Sequence, residues 1–258
     1  MLRNIERLRE MGVGIVHPKE EERKAKLADV ETIVAHCVRA IRGDGPLRGR
    51  EVLVVAGSTE EPIDRVRLIS NRSSGATGVA LAEEAFARGA DVTLLMGRHE
   101  VPVPPYVEVR RFTTVESLMR AAEDVHAGTA VVLVPAAIGD YRQPTQFRGK
   151  LASGKPELEL RLEPTPKVLP ALRSAAPDAL LVSFKLEVGP DDEKLEEIAR
   201  QRLVAGPMDM VVANDAERVT ADRHPAVIVP AEGNVRFFDG HKADLAAAIL
   251  DAVEASMA

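Results

Sequence analysis

Small and polar residues follow four predicted strands, at the points where those strands end. The segments are Gly57-Ser58-Thr59, residues 136–140, residues 184–187 and Ala213-Asn214-Asp215. In open α/β sheets, ligands bind beyond the carboxyl ends of the strands. The first segment could offer exposed backbone N–H groups and two hydroxyls to phosphate oxygens, although the same residues would suit an ordinary strand-to-helix turn. The four segments together predict one ligand site at one edge of a sheet.

The elements that must position these residues alternate between strand and helix patterns. Compact apolar runs such as EVLVVA, DVTLLMG, AVVLVPA, ALLVSF and DMVVAND are separated by helical patterns such as GVALAEEAFARG and DDEKLEEIARQRL. This alternation predicts an α/β fold with a doubly wound, mainly parallel sheet of Rossmann-like type. Residues 141–163 break the alternation with a polar stretch that ends in ELELRLE, which predicts a protruding flap or extended hairpin.

The first 45 residues differ from the rest. We expect a short helix, a strand at GVGIV, a solvated charged connector at KEEERKAK and a helix near residues 29–41. We therefore divide the chain into an N-terminal connector segment, residues 1–45, and a nucleotide-binding domain, residues 46–258. Cys37 lies in an apolar helical run and is expected to be a buried, inert thiol.

Composition excludes several function classes. The net charge of −6 argues against broad attraction to nucleic acid or to an anionic membrane. One cysteine cannot form an internal disulfide, and the six histidines show no metal-ligand spacing. No apolar run approaches the ~20 residues that span a bilayer, so we expect a cytoplasmic protein. The sequence has neither a Walker A pattern nor a GxGxxG after its first apolar strand, which disfavours a P-loop NTPase and a classical dehydrogenase.

The run GSTEEPIDRVRLISNRSSGATG, residues 57–78, closely resembles the signature of the phosphopantothenoylcysteine synthetases. The resemblance continues in order through AAIGDYR, GKL, LEPTPKVL, VSFKLE and VVAND, and it covers roughly residues 50–220. Residues 1–45 resemble the connector that joins this domain to a decarboxylase in bifunctional relatives. The decarboxylase itself is missing, so we expect a stand-alone synthetase whose functional partner is a separate decarboxylase.

The resemblance implies a ligase of coenzyme A biosynthesis. Such an enzyme joins 4′-phosphopantothenate to cysteine through an acyl-nucleotide intermediate, with CTP as the usual co-substrate, Mg²⁺ as cofactor and release of pyrophosphate. It also implies a homodimer, in which the flap covers the site of the neighbouring subunit. Two other readings share the fold: an NADP-dependent reductase, and a nucleotide-binding subunit without activity.

The resemblance assigns roles to four polar residues. Asn71 would contact the acyl-nucleotide, and Arg67 would hold a substrate anion unless it only pairs with Asp64. Asp140 would bind the ribose or the Mg²⁺ ion. Lys150 would stabilise charge that develops on the α-phosphate, unless it is a solvated flap lysine.

The other positions that the resemblance assigns to nucleotide are Gly57, Ser58, Thr59, Ser73, Ser74, Gly75, Val134, Pro135, Ala136, Pro166, Lys167, Val168, Leu169, Phe184 and Arg202. Ala136 and Ala137 would also contact the substrate. Read without the resemblance, residues 73–75 could be only a helix N-cap, Asn71 and residues 214–215 only turn residues, and Phe184 a core residue. Residues 166–169 open a predicted helix, whose free N–H groups suit phosphate.

Three positions depart from the family pattern, and the last of them, Gly206, weakens the inference to CTP. The flap reads KLAS where many relatives have three lysines in four positions, so Lys155 is a candidate replacement. Ala76 stands where a lysine is common, and Gly206 replaces a second nucleotide-contacting lysine after Arg202.

Overall fold

The structure is a computed structural model that describes residues 2–21, 24–145, 147, 149–151, 157–220 and 223–257. The helices and strands of these residues are, in chain order, α1 (Leu2–Glu10), β1 (Lys19–Glu21), β2 (Lys24–Lys26), α2 (Val30–Arg42), β3 (Glu51–Ala56), β4 (Glu60–Pro62), β5 (Leu68–Ser70), α3 (Ala76–Ala87), β6 (Asp91–Met96), β7 (Glu108–Arg111), α4 (Val115–Glu123), β8 (Val131–Val134), β9 (Tyr141–Arg142), β10 (Glu163–Pro164), α5 (Val168–Ala175), β11 (Leu180–Glu187), α6 (Asp192–Ala205), β12 (Met210–Asp215), β13 (Ala226–Pro230), β14 (Arg236–Phe238) and α7 (Lys242–Ser256). None of these helices is both long and apolar enough to cross a membrane.

The main sheet has eight strands in the order β14-β13-β12-β11-β8-β3-β6-β7. The six strands from β12 to β7 run parallel, whereas β13 and β14 are antiparallel to their neighbours. The chain moves from β3 outward to β6 and β7, then returns to β8 on the other side of β3. The strand order therefore reverses between β3 and β8, which is the topological switch point of a doubly wound sheet. The predicted fold class is confirmed.

Both faces of the sheet are covered, which is why its strands are apolar along most of their length. In β3, every residue from Val52 to Ala56 is buried. One core lies between the sheet and helices α3 and α7, and the other lies between the sheet and helices α4, α5 and α6. With no Trp in the chain, Val, Leu, Ile and Ala supply most of both cores.

Helix α2 packs on α3 and is tied to it by side chains. The guanidinium of Arg39 donates to the carbonyls of Phe86, Gly89 and Ala90 and lies over the Phe86 ring, with 4.6 Å from Cζ to the ring centroid. Arg42 forms an ion pair with Glu84 at 2.6 Å. Helix α2 is thus held against α3 and the turn that follows it.

Two expectations for the first 45 residues are wrong, and one pair of strands was not predicted. GVGIV forms no strand, because no neighbouring strand pairs with it and Val13 is exposed. The charged connector instead contributes β1 and β2, an antiparallel pair in which Lys19 lies opposite Lys26. Cys37 is exposed, because α2 covers the domain with only part of its surface and has no buried residue.

Two hairpins leave the carboxyl edge of the sheet. Strands β4 and β5 form an antiparallel hairpin between β3 and α3, inside the motif of residues 57–78. Strands β9 and β10 pair where the predicted flap leaves the domain and returns to it, with Arg142 opposite Glu163. The predicted excursion from the sheet is confirmed at its two ends, where β9 and β10 pair. Residues 146, 148 and 152–156, and with them Lys155, lie outside the described residues.

Candidate active site

The strand order brings the four predicted strand ends to one edge of the sheet. Two of the segments follow β3 and β8, and the other two are the last residues of β11 and β12. These four strands are consecutive neighbours in the sheet. Gly57 continues β3 with φ +78°, and a Cβ on it would lie 2.5 Å from the carbonyl oxygen of Arg98. The N–H of Ala137 donates to the Gly57 carbonyl at 2.8 Å, so the segments after β3 and β8 are joined directly at the switch point.

Ser58 and Thr59 are not open to a phosphate. The N–H of Ser58 donates to the Arg98 carbonyl at 3.0 Å, and the N–H of Thr59 donates to the Ala137 carbonyl at 3.3 Å. Both residues are buried, and the Thr59 hydroxyl accepts the N–H of Gly139 at 2.8 Å. The expectation that these N–H groups are exposed is wrong, because the chain continues its sheet pairing past the end of β3.

Helix α3 begins over the same switch point. Its N-cap is Gly75, with φ +77°, and the hydroxyls of Ser73 and Ser74 accept the N–H groups of Gly75 and Ala76. A Cβ on Gly78 would lie 2.1 Å from Ala56 Cβ and 3.4 Å from Pro135 Cγ. The first turn of α3 therefore touches the ends of β3 and β8, where a helix N-terminus favours an anion.

The close approach of Gly78 was not predicted as a site feature. The signal was present in the sequence, because a glycine in the first turn of a helix that follows a buried strand is typical of close helix–strand packing in dinucleotide-binding folds. Val134, Pro135, Ala136 and Ala137 lie at the same place, at the end of β8 and just beyond it.

Asn71 lies beside the segment that follows β8. Its side-chain Nδ2 donates to the carbonyl of Ile138 at 3.2 Å, and the residue is exposed. The preceding residue, Ser70, donates from its hydroxyl to the Thr59 carbonyl at 2.7 Å. Asn71 is therefore oriented by the strand ends, and the second hydrogen of its Nδ2 and its Oδ1 remain for a ligand.

Asp140 is held by its backbone and presents its side chain to solvent. The Thr165 hydroxyl donates to the Gly139 carbonyl at 2.6 Å, and the Thr165 N–H donates to the Asp140 carbonyl at 2.9 Å. The Asp140 carboxylate forms an exposed ion pair with Lys167 at 2.9 Å. The two residues assigned to metal and to phosphate thus lie side by side.

Helix α5 also begins at this edge of the sheet, so its N-terminus is a second place that favours an anion. Lys167 is its N-cap residue and its side chain caps no N–H group. Val168 and Leu169 turn their side chains into or against the core, so only their backbone is available to a ligand. Pro166 precedes the cap, as predicted for a chain that leaves β10 and enters a helix.

The described residues contain no group of three or more His, Cys, Asp or Glu side chains that could hold a metal ion alone. Mg²⁺ is usually bound by one or two carboxylates together with substrate phosphates. A single carboxylate at Asp140 fits that arrangement.

The strands β11 and β12 contribute an aromatic ring and a turn. Phe184 is half-buried against the core on the α3 side, and in the register of the sheet it lies one residue beyond the level of Val134. Asp215 accepts the N–H groups of Gly189 and Glu217, and the first of these is the main reason why the pKa of its carboxyl is lowered. Asp215 therefore acts as a turn residue in this structure, which was one of the two predictions for residues 214–215.

Arg202 does not join this edge within one chain. It lies in the last turn of α6, which runs antiparallel to the strands and ends just before the amino end of β12. Helix α6 begins at the carboxyl edge, so its fourteen residues carry Arg202 to the opposite edge. Within one chain, this helix direction places Arg202 away from the strand ends, and its predicted contact with the nucleotide stays a prediction.

His224 is a buried residue at the site that was not predicted. Its Nδ1 lies 3.5 Å from the hydroxyl of Thr77 in the first turn of α3, and its Nε2 is buried without a partner among the described residues. Burial, and secondarily Lys242, lowers the pKa of His224 to about 4, so the ring is neutral near pH 7. Nothing in the spacing of the histidines indicated this position.

Residues 147 and 149–151 of the flap, called the flap base from here on, are attached to the hairpin of β4 and β5. Arg67 donates from Nη2 to the Leu151 carbonyl at 2.6 Å, and its Nε lies 3.5 Å from the buried carboxylate of Asp64. The pair with Asp64 that was the alternative for Arg67 is thus present, together with a flap contact. Lys150 is exposed and forms no ion pair or hydrogen bond with the described residues.

Comparison with known proteins identifies the family of this chain. A family model described as the DNA/pantothenate metabolism flavoprotein C-terminal domain matches residues 47–257. The coenzyme A biosynthesis bifunctional protein CoaBC of Thermococcus kodakarensis is 39% identical over 255 residues, which are 97% of this chain and 62% of that protein. The CoaBC protein of Methanocaldococcus jannaschii is 33% identical over 98% of this chain, and again 62% of the relative is covered. The chain thus spans less than two thirds of these curated relatives.

A solved structure gives the same answer for the fold. The DNA/pantothenate metabolism flavoprotein from Streptococcus pneumoniae has a TM-score of 0.73 at 25% identity, over 81% of this chain and all of that chain. Residues 47–257, which the family model matches, contain the whole main sheet and every residue assigned to the site. This chain belongs to the family of the DNA/pantothenate metabolism flavoprotein C-terminal domain.

Proposed function

We propose that this chain is a ligase that joins 4′-phosphopantothenate to L-cysteine through an acyl-nucleotide intermediate, a step of coenzyme A biosynthesis. The observation that carries the proposal is the arrangement at the switch point. There the motif of residues 57–78 wraps the ends of β3 and β8 and sets Asn71 against the segment that contains Asp140. Relatives with the same motif region are named as coenzyme A biosynthesis proteins.

Two steps make up the proposed reaction. A carboxylate oxygen of phosphopantothenate attacks the α-phosphorus of the nucleotide, and pyrophosphate leaves. The amine of cysteine then attacks the acyl carbon, and the nucleoside monophosphate leaves. The protein must neutralise the triphosphate, keep water away from the acyl-nucleotide and hold the acyl carbonyl for the amine.

The described residues suit these tasks. The N-termini of α3 and α5 place partial positive charge at the carboxyl edge. Lys150, with no partner among the described residues, is available to the α-phosphate, and Asn71 to the acyl-nucleotide. We propose that Asp140 would hold Mg²⁺, with Lys167 leaving Asp140 to pair with a phosphate oxygen. Bound Mg²⁺ would supply charge neutralisation for the leaving pyrophosphate.

We propose CTP as the nucleotide. The proposal depends on the family resemblance, and Ala76 and Gly206 are the two positions at which this chain lacks a lysine that many relatives have. Arg202 does not replace them within one chain, because it lies at the other edge of the sheet.

We also propose that the chain acts as a homodimer. Five apolar side chains on the β4–β5 hairpin and the flap are exposed: Val66, Leu68, Phe147, Leu158 and Leu162. Exposed apolar groups on two hairpins that leave the sheet together are typical of a surface that another subunit covers. Light scattering at working concentration tests this, and a fully active monomer would contradict it.

Pyrophosphate release with each of the four nucleoside triphosphates, with and without phosphopantothenate, tests the function. We expect release that needs phosphopantothenate and Mg²⁺, is fastest with CTP, and continues beyond one turnover only when cysteine is present. Equal release without phosphopantothenate contradicts the ligase. Nucleotide binding with no release under any of these conditions would show a non-catalytic binding protein instead.

A further inference from the structure

The tip of the β4–β5 hairpin, residues 63–67, holds the flap base at alternate residues. The N–H of Phe147 donates to the Ile63 carbonyl at 3.1 Å, and the N–H of Arg65 donates to the Gly149 carbonyl at 3.0 Å. The N–H of Leu151 then donates to Asp64 Oδ2 at 3.0 Å. Lys150 thus lies between two residues whose backbone is fixed, while its own side chain is exposed.

The carboxylate of Asp64 is the centre of this attachment. Its side chain is fully buried, and Oδ1 accepts the N–H groups of Val66 and Arg67, both at 2.7 Å. Oδ2 is used differently, since it accepts the N–H of Leu151, 87 residues away in the chain, and faces Arg67 Nε at 3.5 Å. One oxygen closes the hairpin tip and the other holds the flap.

Both backbone polar groups of Leu151, its N–H and its carbonyl, are hydrogen-bonded to the hairpin. Asp64 accepts from its N–H, and Arg67 donates to its carbonyl at 2.6 Å. The Leu151 N–H is also the main cause of the lowered pKa of the Asp64 carboxyl. A buried carboxylate that accepts N–H groups from two separate segments fixes both segments relative to each other.

We propose that Asp64 is a positioning residue for Lys150: through the N–H of Leu151 it fixes the flap base so that the lysine reaches the α-phosphate. Asp64 itself touches neither substrate nor nucleotide in this scheme. The inference goes beyond the proposed function and rests on it, because the role of Lys150 belongs to that function.

The two oxygens make Asp64→Asn a selective change. With Oδ1 retained, the amide still accepts from Val66 and Arg67 and keeps the hairpin tip. Its Nδ2 then faces the N–H of Leu151 and Nε of Arg67, so that donors meet donors. The variant should therefore release the flap base without unfolding the hairpin. Asp64→Ser, which keeps one acceptor for the turn, serves if the asparagine variant does not fold.

Glu61→Gln is the matched control. Glu61 is also a buried carboxylate of this hairpin, and its Oε1 accepts the N–H of Val115 at 2.7 Å, at the start of α4 rather than in the flap. A glutamine can keep that acceptor. A loss of activity that follows from any disturbance of the hairpin would appear in both variants, whereas a loss through Lys150 would appear only in Asp64→Asn.

The test is a double-mutant cycle on the full chain with Asp64→Asn, Lys150→Gln and both together. A displacement of about 1 Å can cost roughly 10²-fold, so we expect Asp64→Asn to lower kcat for pyrophosphate release by roughly 10- to 100-fold, with little change in KM for nucleotide. In the Lys150→Gln background the same change should have almost no further effect. Independent, multiplying losses would overturn the proposal, as would a wild-type kcat in Asp64→Asn.

Hydrogen exchange of the peptide that contains residues 147–151 needs no turnover. We expect faster exchange in Asp64→Asn than in wild type and in Glu61→Gln, and unchanged exchange would overturn the attachment. The exchange measurement distinguishes a failure of the proposed role of Asp64 from a failure of the proposed function. A wild-type chain that releases no pyrophosphate contradicts the proposed function, while faster exchange in the variant still supports the contact of Asp64 with the flap.

Discussion

Replacing Gly78 by alanine tests whether the first turn of α3 must touch the switch point. The new Cβ would lie 2.1 Å from Ala56 Cβ, far inside van der Waals contact, and 3.4 Å from Pro135 Cγ. Ala56 is fully buried in the central strand β3 and has no side-chain torsion that could turn its methyl group away. The helix or the strand must therefore move.

The magnitude follows from two opposing effects. Overpacking a core costs about 1–3 kcal/mol. Replacing glycine by alanine inside a helix contributes about 1 kcal/mol in the other direction. Because the clash involves a rigid methyl group, the overpacking should lie in the upper part of its range, and we expect a net loss of about 1–2 kcal/mol in the free energy of unfolding. Moving the helix N-terminus should also weaken nucleotide binding by roughly fivefold, which corresponds to about 1 kcal/mol.

Urea unfolding and calorimetric nucleotide titration measure the two effects. Ala56→Gly in the Gly78→Ala background removes the opposing methyl group and should restore most of the nucleotide affinity. Gly206→Ala is the control, because its Cβ would meet the flexible Met208 side chain at 2.6 Å and lies away from the switch point. If Gly78→Ala is as stable as wild type and binds nucleotide equally well, or if Ala56→Gly restores nothing, the close approach does not position the site.

Three further predictions concern single side chains. Lys150→Gln should lower turnover by roughly 10²–10³-fold, as the loss of one transition-state charge donor does, with a much smaller effect on nucleotide binding measured by titration. Asn71→Asp should release about one pyrophosphate per site and then stall, because a carboxylate cannot donate to the acyl-nucleotide; cysteine turnover at the wild-type rate would make Asn71 only a turn residue. His224 binds its proton more weakly in the folded chain, with a pKa of about 4 against 6.5, so stability should fall by up to about 3 kcal/mol as pH drops from 6.5 towards 4. Thermal unfolding of His224→Gln should lose that part of the pH dependence, whereas the exposed His126→Gln should keep it.

The fold could be predicted because the sheet is buried on both faces. Apolar strands such as EVLVVA and VVLV can be recognised without knowing their neighbours, and their alternation with helices specifies the crossovers. The four strand ends meet at one edge for the same reason. The β4–β5 hairpin was not predicted, because its strands have three residues each and lie inside a motif that was read for its ligands.

The details of the site depended on partners that are distant in sequence. The N–H groups of Ser58 and Thr59 are occupied by carbonyls of Arg98 and Ala137, which no local pattern indicates. The distance of Arg202 from the strand ends within one chain was also not predicted, because spacing from a motif does not give the direction of the helix that carries the residue. Asp64 was predicted only as a possible ion-pair partner of Arg67, since its second oxygen binds a residue 87 positions away.

Detection of the acyl-nucleotide is the decisive experiment for the proposed two-step reaction. Wild-type protein is mixed with phosphopantothenate, Mg²⁺ and CTP in the absence of cysteine, quenched within one turnover and analysed by mass spectrometry. We expect a phosphopantothenoyl-cytidylate in an amount close to the number of sites. It should disappear when cysteine is added, as phosphopantothenoylcysteine forms. Formation of phosphopantothenoylcysteine with no acyl-nucleotide at any quench time, or with cleavage of the nucleotide to the diphosphate and phosphate, would contradict it.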